Sequence, residues 1–144
     1  MKAQYFDLKG KRALVSGGAS GIGSSIVEHF CEQGVEVYFF DINKKEAQKT
    51  INKIKKKKLK IPTFIECNIK KIQIYKKLIL DVIKKKGPID ILVNNASNDK
   101  RHNLEQITEK YWDERMAINL KHYLFSIQTV KKSMVKNKWI PLLI

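Results

Sequence analysis

Hydrophobic residues follow two rhythms along this chain: short uninterrupted apolar runs, and longer stretches in which apolar side chains recur every three or four positions. The first run, Arg12–Ser16, enters a glycine-rich turn, and over residues 22–33 Ile22, Ile26, Val27 and Phe30 share one helical face. Gly34 closes that helix as a C-cap, and the aromatic and β-branched run that follows predicts a second strand ending at Asp41. Asn43 is placed to cap a lysine-rich helix. Residues 62–66 predict a third strand, and residues 70–86 a helix with Ile72, Tyr75, Ile79, Val82 and Ile83 on its inner side. After the Gly87-Pro88 turn, residues 89–94 form a fourth strand. A last helix covers residues 109–136, with Thr108 as N-cap and Ile107 and Trp112 as a hydrophobic staple. Met116, Leu120, Tyr123, Leu124, Ile127, Val130 and Met134 form its buried stripe.

Strand followed by helix, repeated along the chain, implies right-handed crossovers and a parallel sheet covered on both faces. At 144 residues this is one domain, without repeat or linker. A hydrophobic share of 43% argues against disorder throughout. Cys31 and Cys67 have no partner at metal-ligand spacing, which fits reduced thiols in the cytoplasm, and no metal centre is expected. The first residues lack the apolar run of a signal peptide, and no 18-residue apolar stretch occurs, so neither secretion nor a membrane partner is expected.

A net charge of +15 suggests a polyanionic partner, but only three of the 29 basic residues are arginine. Lysines 44, 45, 49, 53, 55, 56, 57, 58 and 60 crowd one segment without interleaved aromatics, so the reading is a solvated helix surface and no specific nucleic-acid partner.

Glycines 17, 21 and 23 lie between a strand and a helix, the setting of a dinucleotide loop, though their spacing is Gly-x-x-x-Gly-x-Gly. Asp41, ending the second strand, can accept hydrogen bonds from both adenosine-ribose hydroxyls and repels a 2'-phosphate, which favours NAD over NADP; a turn role competes. Asn94, Asn95 and Ala96 end the fourth strand at the same sheet edge, where cofactor contact and turn chemistry are both open. Asn119 sits mid-helix, where asparagine needs a reason: a buried structural hydrogen bond or a catalytic task. The loop 97–103 is polar enough to reach a hydroxylated substrate, with His102 read most simply as solvated. His29 and His122 stand on helices without paired carboxylates, so a hydrolytic triad is unsupported.

Ser16-Gly17-Gly18-Ala19-Ser20-Gly21-Ile22-Gly23, Asp41, Asn94-Asn95-Ala96 and Asn119 together resemble the front half of the short-chain dehydrogenase/reductase family, over about residues 8–135. The resemblance implies an α/β, Rossmann-like doubly wound parallel sheet, ending after about four strands and the following long helix. It implies NAD contacts at Ser16, Gly17, Ser20, Gly21, Ile22, Gly23, Asp41, Asn68, Asn94, Asn95 and Ala96. For Asn119 it implies the holding of a water in the family's proton relay. Residues 94–102, Trp112-Asp113-Glu114-Arg115 and Asn119-Leu120-Lys121-His122 also resemble a branch with bacterial aldose dehydrogenases of the xylose type, hence a sugar or polyol substrate.

Departures from the family pattern shape the rest of the reading. Ser97 replaces the usual glycine, and Asn68 stands for an aspartate near the adenine region. The family's catalytic serine, and its tyrosine with lysine four residues on, belong beyond residue 144, and no tyrosine here is expected to replace them. The expectation is therefore an incomplete NAD-binding domain over 1–144, an oxidoreductase by lineage that binds without turnover, or else an inert fragment. Pro141 is unwelcome in a central strand, so the tail reads as altered by a premature stop. The fourth strand is then expected at an unpaired edge, leaving the protein marginally stable or self-associated through its last helix.

Overall fold

Residue parity decides which side of the sheet each strand side chain enters. The computed structural model describes residues 3–136 and 142–143. Four parallel strands, β1 (Arg12–Ser16), β2 (Glu36–Asp41), β3 (Thr63–Glu66) and β4 (Ile91–Asn94), form one sheet with a two-residue β5 (Leu142–Leu143), in the order β3-β2-β1-β4-β5. Odd-numbered Ala13, Val15, Val37, Phe39, Ile91 and Val93 pack on Val27 and Cys31 of α1 (Gly21–Glu32) and on Ala47 and Ile54 of α2 (Lys44–Lys56). Even-numbered Leu14, Tyr38, Phe40 and Leu92 pack on Tyr75, Ile79 and Val82 of α3 (Ile72–Lys86). Val130 and Met134 complete that second layer from a last helix described below.

β1, β2 and β3 proceed outward in one direction, after which the chain crosses back to set β4 on the other side of β1. That reversal opens a crevice beyond the carboxyl ends of β1 and β4, where ligands of such sheets bind.

Local signals place the element ends. Gly34, at φ 76°, closes α1 with a Schellman pair: its N–H donates to the Cys31 carbonyl at 3.1 Å, and that of Val35 to Phe30 at 3.0 Å. Asn43 Oδ1 caps α2 by accepting from the Glu46 amide at 3.1 Å. The lysine-rich face does more than solvate: buried Glu28 of α1 accepts Lys53 Nζ at 2.6 Å and also pairs with Lys57, which reaches Glu32 at 3.2 Å. These hydrogen bonds, from Lys53 first, hold the Glu28 carboxyl below its ordinary range.

Three expectations are corrected. The single helix over 109–136 is instead α4 (Glu109–Met116), a π turn (Ala117–Lys121) and α5 (His122–Lys136). Its inward residues are His122, Ser126, Val130 and Met134, whereas Met116, Leu120 and Leu124 are exposed, as is Trp112 of the supposed staple. The wider π turn shifts the helical frame, so Met116, Leu120 and Leu124 of the expected stripe face out, while Val130 and Met134 are buried as expected and His122 and Ser126 join them. Ile22 is 77% exposed and lies outside the core. Finally, β4 is not bare: Ile91 and Leu92 pair in parallel with Leu142 and Leu143, while Pro141 lies outside the described residues. Among the described residues no helix is long and apolar enough to cross a membrane.

Candidate functional site

Beyond the carboxyl ends of β1, β2 and β4 the chain leaves a cleft of about 740 Å³. Gly17, Ser20, Gly21, Ile22, Gly23, Asp41, Asn68, Asn95 and Ala96 line it. Ser16 and Asn94 do not: both are buried behind it. Cys67 and Lys70 also line the cleft, and neither stood out from sequence. Burial pushes the Cys67 thiol up to about 11, so it is inert as a nucleophile near neutrality.

α1 presents its N-terminus to this space. Ser20 is its N-cap residue but makes no side-chain cap hydrogen bond, in contrast to Asn43 on α2. The first-turn amides are thus left for another acceptor. At the adjacent strand end, Asp41 Oδ2 accepts from the Ala19 amide at 3.0 Å and Oδ1 from the Asn43 amide at 2.9 Å. The turn role is real, and it leaves each carboxylate oxygen a further lone pair.

Asn95 fastens β4 to the glycine loop, its Nδ2 donating to the carbonyls of Ser16 at 3.1 Å and Gly17 at 3.0 Å. Beneath it lies a polar layer that parity explains. Ser16 and Asn94 are even-numbered, so they enter the face covered by α5, where His122 and Ser126 stand four residues apart. Ser16 Oγ lies 3.2 Å from His122 Nε2, and Ser126 Oγ donates to Asn94 Oδ1 at 2.8 Å. His122 is wholly buried, and burial lowers its pKa to about 4, with an interaction with the Ile118 backbone opposing. A signal for this layer existed: two polar residues on the inner face of apolar strands require polar partners from the helix above.

Asn119 lies within the π turn, where its Oδ1 accepts from the Asn98 amide at 2.8 Å and its Nδ2 donates to the Asn98 carbonyl at 3.1 Å. This two-bond clasp is a structural hydrogen bonding of the kind the mid-helix asparagine suggested. Tyr111 and Arg115 of α4 extend the clasp, donating to the carbonyls of Lys100 at 2.8 Å and Asn98 at 3.3 Å. His102, exposed, stacks on the Tyr111 ring with centroids 4.1 Å apart. Asn119→Asp keeps the acceptor but sets an anionic oxygen against the Asn98 carbonyl. The expected cost is about 2 kcal/mol, read from urea denaturation, with faster amide exchange at Asn98.

Tyr5 is followed by a lysine, Lys9, four residues on, but the two flank the 3₁₀ turn Phe6–Leu8 before β1, at the strand end opposite the cleft. Tyr75 is also no substitute, being wholly buried against Phe40. Among the described residues, no group of three His, Cys, Asp or Glu side chains could hold a metal.

Comparison with known proteins adds to this geometry. The sequence model of the short chain dehydrogenases matches residues 11–139. The chain is 38% identical over 134 residues to D-xylose 1-dehydrogenase of Caulobacter vibrioides, covering 93% of this chain and 52% of that protein. It is 32% identical over 132 residues to the NAD-dependent glycerol dehydrogenase of Listeria innocua, covering 90% and 50% respectively. The ligand-free aldohexose dehydrogenase of Thermoplasma acidophilum matches with a TM-score of 0.78 at 25% identity, over 92% of this chain and 47% of that one. The chain therefore spans about half the length of the relatives it matches.

Proposed function

The chain belongs to the short chain dehydrogenase family, and from that premise we propose that its cleft holds a nicotinamide dinucleotide, NAD in preference to NADP. The carrying observation is the uncapped N-terminus of α1 opening onto the same cleft as Asp41. The α1 amides would hold the pyrophosphate, and the free lone pairs of Asp41 the ribose hydroxyls, where a 2'-phosphate would meet negative charge. The Listeria relative's NAD-dependent name supports the same choice. Asn68 faces the cleft as a neutral hydrogen-bonding group, and Asn95 with Ala96 forms the opposite wall.

A bound nicotinamide would supply a hydride acceptor, and the substrate class favoured by the relatives' names is a sugar or polyol hydroxyl. Oxidation of that hydroxyl also needs a proton acceptor beside it. No tyrosine lines the cleft among the described residues, and the neutral amide of Asn119, clasped by Asn98, is no proton acceptor. The reading is therefore binding without turnover by these 144 residues, in the cytoplasm, with no specific nucleic-acid or membrane partner. Met116, Leu120 and Leu124, exposed at four-residue spacing, give self-association a surface.

Calorimetric titration of the 144-residue protein with NAD and NADP, alongside NADH formation with a panel of aldoses and polyols, tests this. The expected result is tighter NAD than NADP binding without NADH production. Asp41→Ala is expected to weaken NAD binding about tenfold and to narrow the gap between the two dinucleotides. Equal affinities, or no binding, would sink the cofactor reading, and steady turnover would sink the catalytic one.

A further inference from the structure

We propose that His122 is a positioning residue of the cleft: its neutral ring accepts the Ser16 hydroxyl hydrogen and so turns both Ser16 lone pairs onto the Asn95 and Ala96 amides. The inference about these hydrogen bonds stands on geometry; its consequence for NAD rests on the cofactor reading above.

A serine hydroxyl has one hydrogen and two lone pairs. Around Ser16 Oγ are the amides of Asn95 and Ala96, both at 3.1 Å, the Val93 carbonyl at 3.5 Å and His122 Nε2 at 3.2 Å. The amides only donate, so they occupy both lone pairs. The hydroxyl hydrogen must go to Val93 or to His122, and 3.5 Å is long for a hydroxyl donor. Were Nε2 protonated, three donors would compete for two lone pairs in a site with Ser16 1% exposed, and one would be left unsatisfied at a cost. Nε2 is therefore the acceptor and the proton sits on Nδ1; that buried nitrogen has no hydrogen-bond partner in either tautomer, so it does not reverse the choice, and the backbone group acting on the ring is that of Ile118.

The ring is held for this task. Tyr75 of α3 meets it edge-on at 6.1 Å and Tyr123 of its own helix at 4.4 Å. The bonds so fixed lead straight to the ligand-facing surface. Asn95, whose amide rests on Ser16, is the same residue whose side chain grips the Ser16 and Gly17 carbonyls, and Ala96 lines the cleft. Rotating the Ser16 hydroxyl away would release the wall of the cleft together with the glycine loop.

Nitrogen-15 NMR of the wild-type imidazole at neutral pH is the first test: the expected state is Nδ1 protonated and Nε2 bare, and protonated Nε2 would overturn the proposal. The second compares His122→Gln, which brings an acceptor oxygen near the place of Nε2, with His122→Phe, which fills the space but accepts nothing. In the Phe variant, amide exchange at Asn95 and Ala96 is expected to rise about tenfold and NAD affinity to fall about tenfold. In the Gln variant both should return to within about threefold of wild type. Unchanged exchange in a folded Phe variant, or equal behaviour of the two variants, would overturn it. If wild type binds no NAD, the cofactor reading fails, and tautomer and exchange alone decide this one. Should the Phe variant not fold, the wild-type tautomer still decides.

Discussion

Alanine in place of Gly23 is expected to cost about 3 kcal/mol of stability and roughly a hundredfold in dinucleotide affinity. A Cβ at this position would lie 1.9 Å from the Gly17 carbonyl oxygen and 2.5 Å from Asn95 Nδ2. Neither neighbour can yield. The Gly17 amide donates to the Phe40 carbonyl at 2.7 Å, and its own carbonyl accepts from Asn95 at 3.0 Å, so the turn is tied to β2 and to β4. The start of α1 must back away from β1, and the amides that face the cleft go with it. Gly21→Ala supplies the control. Nothing lies within 4 Å of its would-be Cβ, so only the positive φ of 54° opposes it, at about 1 kcal/mol. Urea denaturation of both variants, followed by NAD titration, separates crowding from backbone strain. A Gly23→Ala protein no less stable than Gly21→Ala would refute the packing argument.

Acidification gives the second large effect. The imidazole of His122 takes up its proton near pH 6.5 when the chain is unfolded but only near pH 4 when folded, because burial disfavours the charged ring. Between those values the unfolded chain binds more protons, so stability falls as pH falls. The loss attributable to this one group is about 2 kcal/mol by pH 5 and approaches about 3 kcal/mol at pH 4. Glu28 acts in the same direction through a different window: its depressed pKa contributes stability above 4.5 that is lost only below it. Denaturation curves from pH 7 to pH 4.5 for wild type and His122→Gln therefore isolate the histidine. The wild-type slope in this range should be steeper, and parallel slopes would show that the buried ring does not control it.

Much of the fold was legible because its signals are local. The apolar run of β1, the Gly34 cap and the Asn43 and Thr108 caps each depend on a few adjacent residues, and each forms as expected. The glycine loop, Asp41 and Asn95 were likewise legible, since the carboxyl ends of parallel strands gather at one edge whatever the details of packing. The buried face of the last helix was legible only in its second half, where Val130 and Met134 are buried as the spacing predicts. Hydrophobic spacing selected Met116, Leu120 and Leu124, but that reading assumes an unbroken α-helical period, and the π turn at Ala117–Lys121 breaks it. His122 and Ser126 were passed over for a related reason: their partners, Ser16 and Asn94, are about a hundred and about thirty residues away in sequence, and such pairing follows from strand parity rather than from neighbours. The short β5 was missed because its pairing with β4 is likewise non-local.

The π turn also makes helix length a more stringent constraint than helix composition. α4 takes its frame from the loop it clasps, through Tyr111 and Arg115, while α5 takes its frame from the sheet, through His122 and Ser126. One residue of an α-helix corresponds to about 100° of rotation. Removing a single residue from Ala117–Lys121 would therefore turn one end against the other, and either the loop or the sheet would lose its partners. Substitutions along the exposed face leave both frames intact. In a lineage that drifts freely in sequence, the exposed positions of this segment should accumulate replacements while Asn119 and the residue count stay fixed.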